Sequence, residues 1–179
     1  MWAALCAEAK KLVGKGNVLM GESEWAETID SFQMAVAMDP NDDDAWCGLG
    51  LAEHKNAGKH VAASFEPYMR CLKLKPTDPV AHTNLASVLQ YVRRDVDNAE
   101  RMLRRALEID PDYPNAHWKL SGLLLQERGD LDGSIKQMEE YNRCGGIPGY
   151  DGKAQLAKLV AKKKKMHAKV RDYSMAIAP

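Results

Sequence analysis

Three phrases in this chain share one skeleton: AVAMDPNDDDAWCGLG from Ala35, CLKLKPTDPVAHTNLA from Cys71 and ALEIDPDYPNAHWKLSG from Ala106. In each, a small residue stands five positions before a proline and an alanine stands five positions after it. Trp46, His82 or His117 follows, and three residues later comes Leu49, Leu85 or Leu120. The prolines Pro40, Pro76 and Pro111 lie 36 and 35 residues apart. A period of this length constrains the fold before any local argument does. A single unit of that size cannot hide its own apolar face and must stack against copies of itself.

Within a period the apolar residues recur at helical spacing in two blocks. Trp46, Leu49, Gly50 and Glu53 share one face, and Phe65, Tyr68, Cys71 and Leu72 mark another after a break at residues 56–59. The unit is therefore a helix pair. The closing proline cannot occupy a helix interior, so turns fall at residues 39–44, 77–79 and 110–115, where Asp and Asn supply capping oxygens. Gly50, Ala86 and Ser121 are expected to face Ser64, Ala99 and Gly133, since only small side chains let two helix axes approach closely.

This spacing resembles the tetratricopeptide repeat, whose usual period is about 34 residues. Trp46, Leu49, Gly50, Ser64, Tyr68, Cys71 and Pro76 take the favoured positions in one unit, and His82, Leu85, Ala86, Leu89, Ala99, Leu103, Ala106 and Pro111 do so in the next. The resemblance implies an all-α fold: a right-handed superhelical array of helix-turn-helix repeats closed by a C-terminal capping helix. The expected layout is an N-terminal extension of the first helix over 1–8, four repeats at about 9–42, 43–78, 79–113 and 114–147, then a linker and Lys-rich cap over 148–179. The first repeat has Thr28 where alanine is favoured, which implies looser packing. The fourth has Glu140 at the alanine position and Gly145 and Gly146 in place of the proline. The excess over 34 residues implies insertions near 56–60 and 91–95, which lengthen the loops inside the helix pairs without breaking the stack. In the terminal helix, expected over about 153–173, Leu156, Leu159, Val160, His167 and Val170 form an apolar stripe and Lys162–Lys165 the basic patch.

Lys plus Arg equals Asp plus Glu at 25 each, so no net charge argues for nucleic acid or an acidic ligand. The charges are nevertheless graded. Residues 1–60 carry five basic and ten acidic side chains, and residues 121–179 carry eleven and seven. The four cysteines show no CxxC spacing; Cys47 and Cys71 are expected as buried free thiols, which fits a reducing, cytoplasmic setting, with nuclear or organellar residence left open. No basic region precedes the short apolar run at the N-terminus, and no apolar run approaches the roughly 20 residues that cross a bilayer.

Catalytic constellations do not emerge. His54 and His60 are six residues apart, a poor spacing for a shared metal on one helix face. His82 and His117 fall at the repeat's aromatic position, which favours packing over ligation. GKGNVLMG, from Gly14, lacks the phosphate-loop pattern. No Ser–His–Asp grouping rises above background, and no cofactor, metal or small-molecule substrate is implied, so the chain reads as a non-enzyme.

In the family, the first helices of successive units line a concave groove that binds protein or peptide. Carried over by register, the groove here comprises Asn17, Leu51, Lys55, Asn84, Ser87, Tyr91, Trp118 and Lys119, with Asp44, Cys47 and Thr83 beside them. Some members clamp the C-terminal carboxylate of heat-shock chaperones. Asn84 and Lys119 match that clamp, but Cys47, Leu51 and Asn115 stand where Lys, Asn and Lys are needed, so the resemblance stops short of it. The expected function is a protein-interaction scaffold within a larger assembly. The alternative is a module that associates through its charged ends, whether head to tail with a second copy or through Lys162–Lys165 on nucleic acid or an anionic surface. No aromatics interleave with that lysine run as base-stacking platforms, which disfavours nucleic acid.

Overall fold

The computed structural model describes residues 2–56 and 61–176, with side chains described over 4–56 and 61–170. The fold is all-α, and the described residues form nine α-helices and no strand. The chain divides into two compact units at the boundary between Ile109 and Asp110.

The first unit holds α1 (Trp2–Glu22), α2 (Trp25–Met38), α3 (Asp43–Lys55), α4 (Phe65–Leu74), α5 (Pro79–Ser87) and α6 (Val96–Ile109). They pack as three antiparallel hairpins, α1 on α2, α3 on α4 and α5 on α6, with α2 against α3 and α4 against α5. The turn aspartates cap as expected: Asp42 accepts the Ala45 N–H and Asp78 that of Ala81, each at 2.9 Å. Phe32, Tyr68 and Leu103 recur on α2, α4 and α6 and are almost fully buried. Ala35, Cys71 and Ala106 follow one turn later and are completely buried. Thr28 is not a loosening residue: it is fully buried, and its hydroxyl donates to the Glu24 carbonyl at 2.7 Å.

The extra residue expected near 91–95 is absorbed without a loop. Helix α5 continues into a π-helical turn over Val88–Arg93, which ends at Arg94 in the left-handed region at φ 57°. A π-turn holds one more residue per turn than an α-turn, so a 35-residue repeat keeps its helices in phase. The guanidinium of Arg93 then lies 3.5 Å over the ring of Phe65. The other expected insertion, with His60, lies partly outside the described residues.

The second unit holds α7 (Pro114–Gln126), α8 (Leu131–Arg143) and α9 (Gly152–Ala176). Its register differs by one residue from the sequence reading. Ser121 packs on Ser134, to whose hydroxyl and carbonyl oxygens its own hydroxyl lies 2.9 Å, and not on Gly133. The position expected at Glu140 is held by Tyr141, which is almost fully buried. A phenol where the other units carry alanine or cysteine makes a seat for the terminal helix. Tyr150 packs edge-on against Tyr141 at 5.6 Å, the Tyr141 hydroxyl accepts the Ile147 N–H at 2.6 Å, and Gly152 sits so close that an added Cβ would meet Tyr141 Cδ1 at 2.6 Å. Leu131, Met138, Tyr141 and Leu159 form one core cluster of this unit, with Leu156 packed beside them. The apolar stripe of α9 is effective only as far as Val160. His167 is exposed and Val170 is 61% exposed, because the helix outruns the surface that could cover them.

Candidate partner-binding site

The aromatic position of the repeat shows why Trp and His alternate there. Trp46 Nε1, His82 Nε2 and His117 Nε2 each lie 2.9–3.0 Å from the carbonyl oxygen of the proline six residues earlier, Pro40, Pro76 and Pro111. Each ring therefore donates an N–H that ties the helix start to the preceding turn, a demand Phe or Leu could not meet. Both histidines are thus committed to packing and turn closure. The shared six-residue interval from proline to ring was the sequence signal for this bond.

In the first unit a pocket of ≈ 350 Å³ opens on α1, α3 and α5. Asn17, Met20, Gly48, Leu51, Val80 and Ala81 supply much of its surface, and Asp44, Asp78, Cys47 and Tyr68 complete it. Asn17 and Leu51 were expected in such a groove. Met20 was not, and the packing of three helices brings it together with Gly48 and Val80. One ammonium serves the acidic rim: Lys75 Nζ lies 3.7 Å from Asp43, 3.6 Å from Asp44 and 4.0 Å from Asp78.

Other expected groove residues divide. Lys55 and Tyr91 are exposed, Tyr91 at 57%, and Asn84 is half-buried; none of the three lines this pocket. Ser87 must be withdrawn from an open groove, as must Thr83: both are buried, and the Ser87 hydroxyl donates to the Thr83 carbonyl at 3.4 Å. The continuation of α5 into the π-turn leaves Ser87 inside the helix packing and not at a helix end.

Cys47 and Cys71 are not free thiols; they form a disulfide between α3 and α4, with Cα atoms 4.9 Å apart. The backbones come that close because the hairpin packs through small residues, and a sequence separation of 24 hid the pairing from a spacing argument. The inference to a reducing compartment loses its support. Cys6 and Cys144 are free and half-buried. Among the described residues no helix is long and apolar enough to cross a membrane.

In the second unit Trp118 is 37% exposed and packs edge-on against Tyr150 at 5.5 Å, so the segment leading into α9 partly covers it. Lys119 Nζ lies 5.7 Å from its ring. In the basic run Lys162, Lys164 and Lys165 are exposed, while Lys163 pairs with Asp132 at 2.6 Å.

Buried prolyl-capped hairpins, recurring small residues and a ring at a fixed place define a helical repeat protein. Residues 84–145 match the family described as "Tetratricopeptide repeat", and the chain shares the fold of solved tetratricopeptide-repeat structures. It is similar to Superkiller protein 3 of Saccharomyces cerevisiae, 30% identical over 95 residues, which span 51% of this chain and 6% of that one. The chain spans less than a tenth of the length of the curated relatives it matches. Among solved structures, Pseudomonas aeruginosa PilF superposes with a TM-score of 0.73 at 17% identity, covering 95% of this chain and 75% of that one. YrrB, titled "a TPR protein with an unusual peptide-binding site", superposes with a TM-score of 0.67 at 18% identity, covering 86% and 76%.

Proposed function

We propose that this chain is a non-catalytic protein-interaction scaffold, a subunit of a larger assembly, and that its first unit holds a partner segment through the pocket on α1, α3 and α5. The layout of four repeats over about 9–147 with a linker and cap over 148–179 belongs to the same reading. The observation that carries it is the pocket's composition. An apolar floor of Met20, Leu51 and Val80 lies beside Asp44 and Asp78, with Lys75 set among the carboxylates of Asp43, Asp44 and Asp78. Such a site selects a segment that inserts one aliphatic or aromatic side chain and sets a basic residue beside it. The peptide-binding site of YrrB makes this a use to which the fold has been put. Trp118, with Lys119 beside it, offers a second anchor in the other unit.

The test is selection of random dodecapeptides on the intact protein, followed by affinity measurement of the enriched peptides. The expected result is a basic residue next to a large apolar one, with binding lost in Leu51→Lys and retained when Lys162, Lys164 and Lys165 are changed to Gln. Peptides that bind through those lysines, and whose affinity collapses steeply as salt rises, would favour charged-end association and overturn the pocket reading.

A further inference from the structure

The disulfide stands in the wall of that pocket, and a third ligating group stands with it. Cys47 and Asp78 both line the pocket, with Cys71 fully buried behind them. The two sulfurs and a carboxylate oxygen of Asp78 all lie within 4.8 Å of one another. We propose that reduction of the Cys47–Cys71 bond converts this wall into a binding site for a zinc-class divalent cation, held by two thiolates and the Asp78 carboxylate, so that oxidised and reduced chains present chemically different pockets. The inference rests on these three side chains and stands whether or not a peptide binds beside them.

The donor set suits zinc, which takes Cys sulfur at about 2.3 Å and carboxylate oxygen at about 2.0–2.2 Å in a tetrahedron. Donors on one such ion stand roughly 3–4 Å apart, so the cluster needs side-chain rotation and no movement of helices. Asp78 is already oriented: one of its oxygens accepts the Ala81 N–H at 2.9 Å, and the other faces Lys75 at 4.0 Å. Around the site the carboxylates of Asp43, Asp44 and Asp78 outnumber the Lys75 ammonium, whose side chain is 44% exposed and free to turn away. The fourth ligand position faces the pocket, where a water or a partner's side chain can take it.

The chemistry balances with a dithiol as reductant. It donates two electrons and two protons, the S–S bond breaks, Cys47 and Cys71 become thiols, and the reductant closes to its own disulfide. Binding of the dication then releases the two thiol protons as two metal–sulfur bonds form. In the oxidised chain neither sulfur is a thiolate, and only the carboxylate remains.

The experiment uses the full chain carrying Cys6→Ser and Cys144→Ser, prepared oxidised and reduced, and titrated with cobalt(II) followed by zinc(II). The reduced chain is expected to bind one cobalt ion with a thiolate-to-cobalt charge-transfer band that zinc abolishes, and the oxidised chain to give no band. Cys71→Ala should remove the band; alanine holds the equivalent positions 35 and 106, so this variant keeps the fold. Asp78→Asn keeps the helix cap and should weaken binding on the order of tenfold or more. Equal binding in both redox states, a band that survives Cys71→Ala, or loss of the helical circular-dichroism spectrum on reduction would each overturn the proposal.

Discussion

Gly48→Ala should destabilise the protein although the substitution normally strengthens a helix. The ring of Phe32 on α2 is completely buried and has a glycine on either side. A Cβ on Gly16 of α1 would stand 2.9 Å from Cε2 and Cζ; a Cβ on Gly48 of α3 would stand 2.9 Å from Cδ1 and nearer still to Cε1 and Cζ. Carbon atoms settle at about 3.5–4.0 Å, so the ring must move by roughly an ångström. It cannot back away from Gly48 without closing on Gly16. Overpacking of this kind costs about 1–3 kcal/mol, against a gain of about 0.5–1 kcal/mol from replacing a helical glycine. The net is a loss of about 0.5–2 kcal/mol. Gly14→Ala is the internal control, because nothing lies within 4 Å of its added Cβ, and it should gain about 0.5–1 kcal/mol. With roughly 2–4 °C in Tm per kcal/mol at this chain length, thermal unfolding followed by circular dichroism should separate the two variants by several degrees, in opposite directions from the parent. Phe32→Leu in the Gly48→Ala background should recover part of the loss, as measured by a double-mutant cycle. If Gly48→Ala were as stabilising as Gly14→Ala, the account of Phe32 as a ring held between two glycines would be refuted.

Two further outcomes follow from buried groups. Glu53 is 8% exposed and its Oε2 lacks a hydrogen-bond partner, so burial holds its carboxyl above the usual range. The folded chain then keeps a proton that the unfolded chain releases. Its contribution is complete below the ordinary glutamate value of about 4.3 and is lost as pH rises through the raised folded value. Glu53→Gln should therefore melt higher than the parent at neutral pH, with the difference vanishing near pH 4 in melts run across that range. Tyr141→Ala removes the ring on which Tyr150 and Gly152 rest and should cost about 3–5 kcal/mol. Limited proteolysis should then cut first within residues 148–170, and unchanged protection there would contradict the role given to that ring.

What the sequence made legible was whatever repeats. The prolines, the capping aspartates and the apolar spacing marked the recurring helix pairs, because each signal is local and repeats along the chain. The misses came where a unit departs from its copies. In the fourth unit the series Ala35, Cys71, Ala106 continues to Tyr141 at the same interval, but a phenol at an alanine position does not read as a member until a terminal helix is seen resting on it. The extra residue of the third unit was read as a loop because a π-turn carries no composition signal of its own. The pocket was half legible. Asn17 and Leu51 followed from register, whereas Met20 meets them only through the packing of three helices.

The disulfide has a consequence that register arguments do not contain. In a repeat of this kind the buried positions fix the hairpin and the groove positions are left free to vary, so binding and stability are separable by mutation. Asn17 and Lys55 obey that division, since both are exposed and neither belongs to the core. Cys47 does not: it lines the pocket and is bonded to Cys71, which occupies the completely buried position between the helices of its own hairpin. A change at Cys47 therefore reaches the packing of α3 on α4, and a change at Cys71 reaches the pocket. Cys47→Ser and Cys71→Ala should alter both thermal stability and pocket binding, whereas Asn17→Ala should alter binding alone, by calorimetry and denaturation on the same samples. Equal stability in all three variants would mean that the bond constrains neither helix, and the coupling of groove to core would fail.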